Sequence, residues 1–302
     1  MINGVINVYK EPDFTSHDVV AKLRGIIKQK KIGHMGTLDP KAVGVLPVCL
    51  GKATKLCDVL ANKDKTYKAT LLLGTETKTQ DIFGKVTNKA SEDEINALDE
   101  ENVIKTIKSY VGDYEQIPPM FSAIKIKGQK LYDLARRGEE VERPARHCKI
   151  IEIRILGIEL PRVFMQVTCS KGTYIRTLCN DIGNDLGVGG CMEKLTRTKV
   201  DRFDIDTAVK LEDIEKARDE GTIDSLVMPI DEVLDGYSKC VVSKDAEKLV
   251  LNGNIFTSGD TKFKMNHEDE QIVRVYLEDE TFIGLYKFYA GKRIYKPEKM
   301  FI

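Results

Sequence analysis

Strand-like segments follow one another along this chain with few helices between them. Residues 2–8, 65–74, 148–160 and 163–170 are each rich in β-branched or aromatic residues and end near glycine, proline or charged turns. A doubly wound parallel sheet needs a helix between successive strands, and the chain lacks that regular alternation. The pattern therefore favours an α+β fold.

Helical spacing of apolar residues marks several of the remaining segments. Thr15 and Asp18 form a T-x-x-D capping box ahead of a helix. Residues 92–111 carry apolar side chains every three to four positions, which predicts one amphipathic helix. Residues 119–130 are predicted to form a strand entering a turn, and a short basic helix follows over 131–137.

The composition of the chain changes near Tyr237. Residues 201–235 are acidic, with 12 Asp and Glu against 4 Lys and Arg. Residues 238–302 hold short strand-like runs separated by charged or glycine-containing turns. We therefore expect a large domain over 1–235 and a small β-rich domain over 238–302.

Composition argues against several classes of protein. Apolar residues make up 42% of the 302 positions and charged residues 31%, as in ordinary globular proteins. No stretch approaches the roughly 18–20 apolar residues that span a bilayer, and the N-terminal segment lacks the features of a secretion signal. The seven cysteines are scattered without a CxxC pair, which favours reduced thiols over disulfides or a zinc site. We expect a cytoplasmic protein without a metal site.

Charge is unevenly distributed, although the formal net charge is zero. Residues 1–60 hold 9 Lys and Arg against 5 Asp and Glu, and residues 120–180 hold 12 against 6. Basic segments of this kind can form one face that binds nucleic acid. They can equally belong to a mixed, solvated surface, and charge alone leaves both interpretations open.

The segment GHMGTLDP, residues 33–40, is unusual for a structural loop. Its two glycines let the backbone turn and approach a ligand closely, and Pro40 restricts the conformation of Asp39. A carboxylate held in this way can act as a nucleophile or a base. The plainer alternative is an Asx-Pro turn in which Asp39 only caps the backbone that follows.

A longer segment, GHMGTLDPKAVGVLPVCLGKATK, resembles the signature of the TruB family, the enzymes that make pseudouridine in the T-loop of tRNA. Further segments resemble family blocks in the family's order: INVYKEPDFTSHDVV, KTYKATLLLGTETKTQDIFG, PPMFSAIKIKGQKLYDLARRGEEVERPAR and CSKGTYIRTLCNDIGNDLG. The resemblance covers about residues 1–235. It departs from the family pattern at Met35, where threonine is usual.

The resemblance implies the pseudouridine synthase fold, a mixed and largely antiparallel central sheet flanked by helices and loops. It also implies an insert over about 119–146 that grips the T-arm, and a PUA-like RNA-binding domain over 238–302. The implied reaction isomerises U55: the N1–C1′ bond breaks, the base rotates, and C5 joins C1′. No group is transferred and no net redox change occurs, so we expect no cofactor.

The resemblance implies three catalytic residues: Asp39, its ion-pair partner Arg176, and Tyr67, which stacks on the target base. By residue type alone, Tyr67 would be a core residue and Arg176 a phosphate contact or a surface pair. A buried carboxylate needs a partner such as Arg176, because burial alone would raise its pKa.

Further implied contacts bind the substrate. Tyr174 and Leu195 line the uridine pocket, although both would otherwise be core residues. His34 enters the T-loop in place of the flipped nucleotide, where the alternative is an ordinary loop histidine. The remaining basic residues would hold RNA phosphates: Lys10, Lys125, Lys127, Lys130, Arg136, Arg137 and Arg146.

The expected partner is tRNA, bound by a monomer with no obligate protein partner and no membrane. Three other interpretations remain: a non-catalytic RNA-binding protein or tRNA chaperone, a guide-RNA-dependent pseudouridine synthase, and a glycoside hydrolase using Glu139 and Glu140. The sequence does not decide whether Asp39 attacks C1′, adds to C6 or takes a proton from C2′.

Overall fold

Strands and helices are interspersed along the chain in the computed structural model, which describes residues 1–126, 128–263 and 266–302. The strands are β1 (Gly4–Lys10), β2 (Ile32–His34), β3 (Val43–Leu50), β4 (Lys65–Leu73), β5 (Thr75–Thr77), β6 (Val86–Lys89), β7 (Gly112–Gln116), β8 (Lys125–Ile126), β9 (Gln129–Lys130), β10 (Arg146–Glu159), β11 (Arg162–Cys169), β12 (Gly190–Val200), β13 (Phe203–Asp204), β14 (Ser238–Val241), β15 (Phe256–Thr257), β16 (Ile272–Tyr276), β17 (Phe282–Tyr289) and β18 (Ile294–Met300). The α-helices are α1 (Ser16–Ile27), α2 (Cys57–Ala61), α3 (Glu92–Asn96), α4 (Glu100–Ser109), α5 (Leu131–Arg136), α6 (Ile175–Asp185), α7 (Leu211–Asp219), α8 (Ile230–Val233) and α9 (Glu247–Leu251). No helix among these residues is both long and apolar enough to cross a membrane.

A nine-stranded sheet forms the centre of the molecule. Its order is β1-β3-β12-β4-β11-β10-β7, with β2 added to β3 and β13 added to β12. β12 runs parallel to β3, and the other pairs are antiparallel. The mixed, largely antiparallel sheet and the α+β class are therefore confirmed.

Helix α1 packs its apolar side chains against one part of this sheet. Its capping box is present as predicted: the Asp18 N–H donates to Thr15 Oγ1 at 3.0 Å, and the Thr15 N–H donates to Asp18 Oδ2 at 2.8 Å. Val19 and Leu23 are buried in a core shared with β1, β3 and α7. This packing fixes the start of α1 beside the loop that contains Asp39.

Two predicted elements differ from the structure. The helix expected over 92–111 is two helices, because Asp99 caps α4 by accepting from the N–H groups of Glu101 and Asn102. The strand expected over 119–130 is reduced to the two-residue pair β8 and β9. Its apolar residues serve instead a small separate core with α5, built on Met120 and Leu131.

A second sheet, ordered β14-β16-β17-β18-β15, lies in the C-terminal part of the chain. Leu285 of β17 and Phe301, the residue after β18, share a core with Met35 and Ala53 from the segment around the Asp39 loop. Lys55 Nζ also donates to the carbonyl of Met300 at 2.6 Å. The C-terminal sheet is thus packed directly beneath the candidate site.

Candidate active site

Asp39 lies in the loop that joins β2 to β3. The Leu38 N–H donates to Ser16 Oγ at 2.9 Å, and the Ala42 N–H donates to the Asp39 carbonyl at 3.1 Å. Gly36 has a φ of +85°, in the left-handed region that favours glycine. The backbone therefore does turn at Asp39, and the turn holds the carboxylate in a defined place.

Asp39 and Arg176 form a two-point ion pair although they are 137 residues apart. Arg176 Nε is 2.8 Å from Asp39 Oδ2, and Arg176 Nη2 donates to Oδ1 at 3.3 Å. Paired contacts of this kind fix the plane of a carboxylate as well as its position. The Arg176 side chain is buried, whereas 37% of the Asp39 side chain is exposed. The carboxylate is therefore both oriented and accessible.

Three further groups hold Arg176 in place. Nη1 donates to the carbonyl of Thr79 at 3.0 Å, and Nη2 donates to the carbonyl of Phe121 at 3.0 Å. Asp81 Oδ2 lies 3.9 Å from Nη1 and adds a second negative charge. Arg176 thus links the Asp39 loop to the loop after β5 and to the segment before β8.

Burial raises the pKa of Asp39 above the ordinary value of an aspartate. The guanidinium of Arg176 opposes this shift, the carboxylate of Asp81 adds to it, and the ammonium of Lys10 opposes it. Arg176 therefore offsets part of the cost of keeping a negative charge in this pocket. The protonation of Asp39 therefore depends on all three charged neighbours.

Burial perturbs the acidity of the predicted pocket residues Tyr67 and Tyr174. Burial raises the pKa of Tyr67 to about 12 and also raises that of Tyr174, and the negative charge of Asp39 adds to both increases. Tyr67 is buried on β4 in one core with Leu38. Leu195 is half-buried on β12 and is paired with Ala69 of β4. The raised pKa values favour the neutral form of both phenols at neutral pH.

Gln116, at the end of β7, has a structural role that the sequence reasoning missed. Its Nε2 donates to the Tyr174 carbonyl at 3.0 Å, and its Oε1 accepts from the Tyr174 N–H at 2.8 Å. Tyr174 is the residue directly before α6, which begins at Ile175. Gln116 therefore sets the position from which Arg176 projects.

Arg197 is a second missed residue and lies behind the Asp39 loop. It is fully buried, and it donates to the carbonyls of Val45 at 2.7 Å, Gly36 at 3.2 Å and Thr37 at 3.4 Å. Its guanidinium forms no ion pair within the part of the chain that the structure describes. One sequence signal was available: Arg197 lies two positions after Leu195 on a strand, so both project from the same face.

Lys10 does not lie on the surface, contrary to the expected phosphate contact. The side chain is fully buried, and Nζ donates to the carbonyls of Pro40 at 2.9 Å and Glu11 at 3.0 Å. Burial lowers the pKa of Lys10 to about 8. The ammonium group instead stabilises the backbone next to Asp39.

His34, at the end of β2, is half-buried. Burial lowers the pKa of His34, which favours the neutral imidazole near neutral pH. It lies five residues before Asp39 on the same loop. That position is compatible with the expected entry into the T-loop, which remains a prediction.

The expected phosphate contacts of the insert differ in their surroundings. Lys125, Arg136 and Arg146 are exposed, Lys130 is half-buried with Nζ 3.3 Å from the Tyr132 hydroxyl, and Lys127 lies outside the described residues. Arg137 is exposed but is paired with Glu139 at 2.7 Å. Glu139 and Glu140 are both exposed on this turn, which argues against the glycoside hydrolase interpretation.

The site offers one accessible carboxylate fixed by a guanidinium, two neutral phenols and an apolar wall. A carboxylate in this setting can attack an electrophilic carbon or accept a proton. The rings provide flat surfaces on which a nucleobase can stack. The chemistry best matched is a reaction on a nucleoside taken out of an RNA strand.

Family comparisons agree with this geometry. The model of the TruB family pseudouridylate synthase N-terminal domain matches residues 24–175, and that of the tRNA pseudouridylate synthase B C-terminal domain matches residues 176–235. A protein from Lachnoclostridium phytofermentans named tRNA pseudouridine synthase B is 46% identical over 313 residues, covering 100% of both chains. A protein of the same name from Clostridium tetani is 46% identical over 284 residues, covering 94% of this chain and 95% of the other.

Solved structures share the fold over nearly the whole chain. A Cbf5-Nop10-Gar1 complex matches with a TM-score of 0.75 and 28% identity, covering 99% of this chain and 85% of the other. An H/ACA RNP bound to a substrate RNA containing 2′-deoxyuridine matches with a TM-score of 0.75 and 26% identity over the same shares. Both family models, the relatives and the fold agree, and the chain belongs to the TruB family of pseudouridylate synthases.

Proposed function

We propose that this pseudouridylate synthase isomerises U55 in the T-loop of tRNA, with Asp39 as its catalytic carboxylate. The observation that carries the proposal is the accessible Asp39 carboxylate held at two points by the buried Arg176. The relatives that are 46% identical over nearly their whole length are named tRNA pseudouridine synthase B. Their name supports tRNA as the substrate.

The reaction is balanced without any other reactant. The N1–C1′ bond breaks, the base rotates in the pocket, C5 bonds to C1′, and the proton lost from C5 is matched by one gained at N1. Asp39 serves the step in which C1′ is released, by attack at C1′, by addition at C6, or by removal of the C2′ proton. Arg176 keeps the carboxylate aligned, and Tyr67 stacks on the base as it turns.

The surrounding residues would take the uridine out of its loop and hold the arm. His34 replaces the flipped nucleotide, and Tyr174 and Leu195 line the pocket that receives it. The insert over about 119–146 grips the T-arm, and residues 238–302 form a PUA-like RNA-binding domain. Phosphate contacts from the exposed basic residues predict that tRNA affinity falls steeply with increasing salt.

Action as a stand-alone monomer is part of the proposal. The H/ACA RNP and the Cbf5-Nop10-Gar1 complex are assemblies whose matching chains are 26% and 28% identical to this chain, whereas the relative named tRNA pseudouridine synthase B is 46% identical. An RNA chaperone without catalysis would leave the Asp39–Arg176 pair without a purpose. The higher identity to the tRNA pseudouridine synthase B relatives supports an enzyme that needs no guide RNA, and the Asp39–Arg176 pair supports catalysis.

The test is incubation of the purified protein with an unmodified tRNA transcript, without cofactor, guide RNA or other protein, followed by mapping of pseudouridine. One pseudouridine at position 55 is expected. It should be missing with Asp39→Asn and in a transcript that carries cytidine at that position. Modification at another position would contradict the assigned target, and no modification by a folded protein would contradict the proposed function.

A further inference from the structure

An exposed aromatic side chain without a role in the proposed function follows Asp81, the second carboxylate near Arg176, by two residues. Phe83 is 62% exposed and its neighbour Ile82 is 38% exposed, in the loop between β5 and β6. Large apolar side chains at such exposure are isolated features on most surfaces. Phe83 differs from such isolated side chains because hydrogen bonds fix its loop and because that loop contacts Arg176.

The loop that presents Phe83 is fixed by hydrogen bonds. Asp81 Oδ1 accepts from the Phe83 N–H at 3.1 Å and from Thr79 Oγ1 at 2.7 Å, and the Ile82 N–H donates to the carbonyl of Met192 at 3.0 Å. A Cβ on Gly84 would lie 2.1 Å from Thr79 Oγ1, so the tight turn after Phe83 requires glycine. The ring is therefore held at a set place.

Two connections join Phe83 to the active site. The Asp81 carboxylate that accepts from the Phe83 N–H also lies 3.9 Å from Arg176, the partner of Asp39. Lys41, two residues after Asp39, places Nζ 5.3 Å from the centre of the Phe83 ring. The Phe83 loop is thus connected to Arg176 on one side, and the ring lies near the end of the Asp39 loop on the other.

The charges around the ring indicate the kind of partner. Lys78 and Lys85 are exposed at the two ends of the loop, where the Lys78 N–H donates to the Lys85 carbonyl at 2.9 Å. Lys41 adds a third cation, although it is paired with Asp13. Aromatic rings flanked by cations are the usual means of binding single-stranded nucleic acid, because the ring stacks on a base while the cations meet the phosphates.

We propose, resting on the function proposed above, that Phe83 is a stacking platform for an unpaired tRNA nucleotide adjacent to the isomerised uridine, with Lys78 and Lys85 beside the backbone of that nucleotide. The nucleotide next to a flipped base loses one of its own stacking partners, and Phe83 supplies a replacement. The same loop carries Asp81, so one hydrogen-bonded loop both binds that nucleotide and helps to position Arg176.

The experiment measures binding of an unmodified tRNA transcript to full-length protein in the Asp39→Asn background, which prevents turnover. Phe83→Ala is expected to raise the Kd about tenfold, equivalent to about 1.4 kcal/mol. Phe83→Trp should keep the affinity, and Phe83→Leu should recover little because it restores apolar area without an aromatic face. The matched control is Leu156→Ala, which removes a side chain that is 54% exposed on β10 and should leave the Kd unchanged.

A second measurement locates the stacked nucleotide. The fluorescent base 2-aminopurine is placed in turn at the positions on either side of the target uridine. One position should be quenched on binding by the Phe83 protein and less quenched with Phe83→Ala. An unchanged Kd for Phe83→Ala, full recovery by Phe83→Leu, or no Phe83-dependent quenching would each overturn the proposal. So would a protein dimer, detected by sedimentation, that is lost in Phe83→Ala while tRNA affinity is kept.

Discussion

The side-chain amide of Gln116 pairs with the backbone of Tyr174 as a neighbouring strand would. It accepts from the Tyr174 N–H at 2.8 Å and donates to the Tyr174 carbonyl at 3.0 Å. The Gln116 side chain is buried, so neither contact can be replaced by water without opening the site. Because Tyr174 precedes Arg176 by two residues, one short segment of chain connects this pairing to the Asp39 carboxylate.

Gln116→Ala is expected to lower the free energy of unfolding by about 1–3 kcal/mol, because the N–H and carbonyl of Tyr174 lose their partners. Turnover at saturating tRNA should fall while the Kd for tRNA changes little, since Arg176 loses its alignment. Denaturant unfolding and single-turnover kinetics measure the two effects. The control is Glu115→Ala, which removes an exposed side chain that contacts His147. If Gln116→Ala is destabilised but keeps normal turnover, Gln116 contributes to stability alone.

Arg176→Lys should reduce the single-turnover rate by at least about 100-fold, which corresponds to losing about 3 kcal/mol of transition-state stabilisation. Lysine keeps the charge but cannot make the paired contacts from Nε and Nη2 to the two carboxylate oxygens. The affinity for tRNA should be largely kept. Arg162→Lys is the matched control, because Arg162 makes a similar two-point pair with Glu193 on the surface; equal losses in both variants would contradict the assigned role.

The acid side of the pH–rate profile should depend on Asp81. Asp39 must be ionised to react, and burial together with the Asp81 charge raises its pKa, so the rate should fall as the pH decreases through that raised value. Asp81→Asn removes one negative charge and keeps an Oδ1 acceptor, so the pKa of Asp39 decreases and the acid limb moves to lower pH. Single-turnover rates across pH measure this. An acid limb that stays in place, or moves to higher pH, would refute the coupling between Asp81 and Asp39. The control is Asp213→Asn, which changes an exposed carboxylate on α7.

Lys65 should make the stability of the protein increase at alkaline pH. Burial lowers the pKa of Lys65 from 10.5 to about 8. Between these values the unfolded chain holds the proton and the folded chain does not, so the free energy of unfolding rises with pH, by up to about 3 kcal/mol. The difference between wild type and Lys65→Gln should grow over that interval. Lys68→Gln, exposed on the same strand, is the control, and a constant difference for Lys65→Gln would show that its ammonium stays charged in the folded state.

Sequence patterns predicted the elements whose determinants are local. The capping box of α1 and the strands β4, β10 and β11 depend on nearby residues. Their observed bounds lie within two residues of the predicted ones. The break at Asp99 was missed because apolar spacing continues across it, whereas the cap depends on two specific N–H groups. Local periodicity does not report such a break.

Site residues could be predicted from the sequence only where they belong to a family motif. Asp39 and Arg176 were paired through family blocks, and no local feature connects positions so far apart. Gln116, Arg197 and Lys10 are buried polar groups whose partners are backbone carbonyls or N–H groups. Every residue type offers the same backbone carbonyl, and all but proline the same N–H, so these contacts leave no pattern in the sequence. That is why Lys10 was expected on the RNA-facing surface.

The shared core of Met35, Ala53, Leu285 and Phe301 limits how this enzyme can be re-engineered. A C-terminal sheet joined only by a linker could be exchanged for an RNA-binding module to redirect the enzyme to new transcripts. Here the exchange would remove one wall of the loop that presents Asp39. A chimera would have to carry complementary apolar side chains at the positions of Leu285 and Phe301, so the C-terminal sheet and the packing of the Asp39 loop cannot be varied independently.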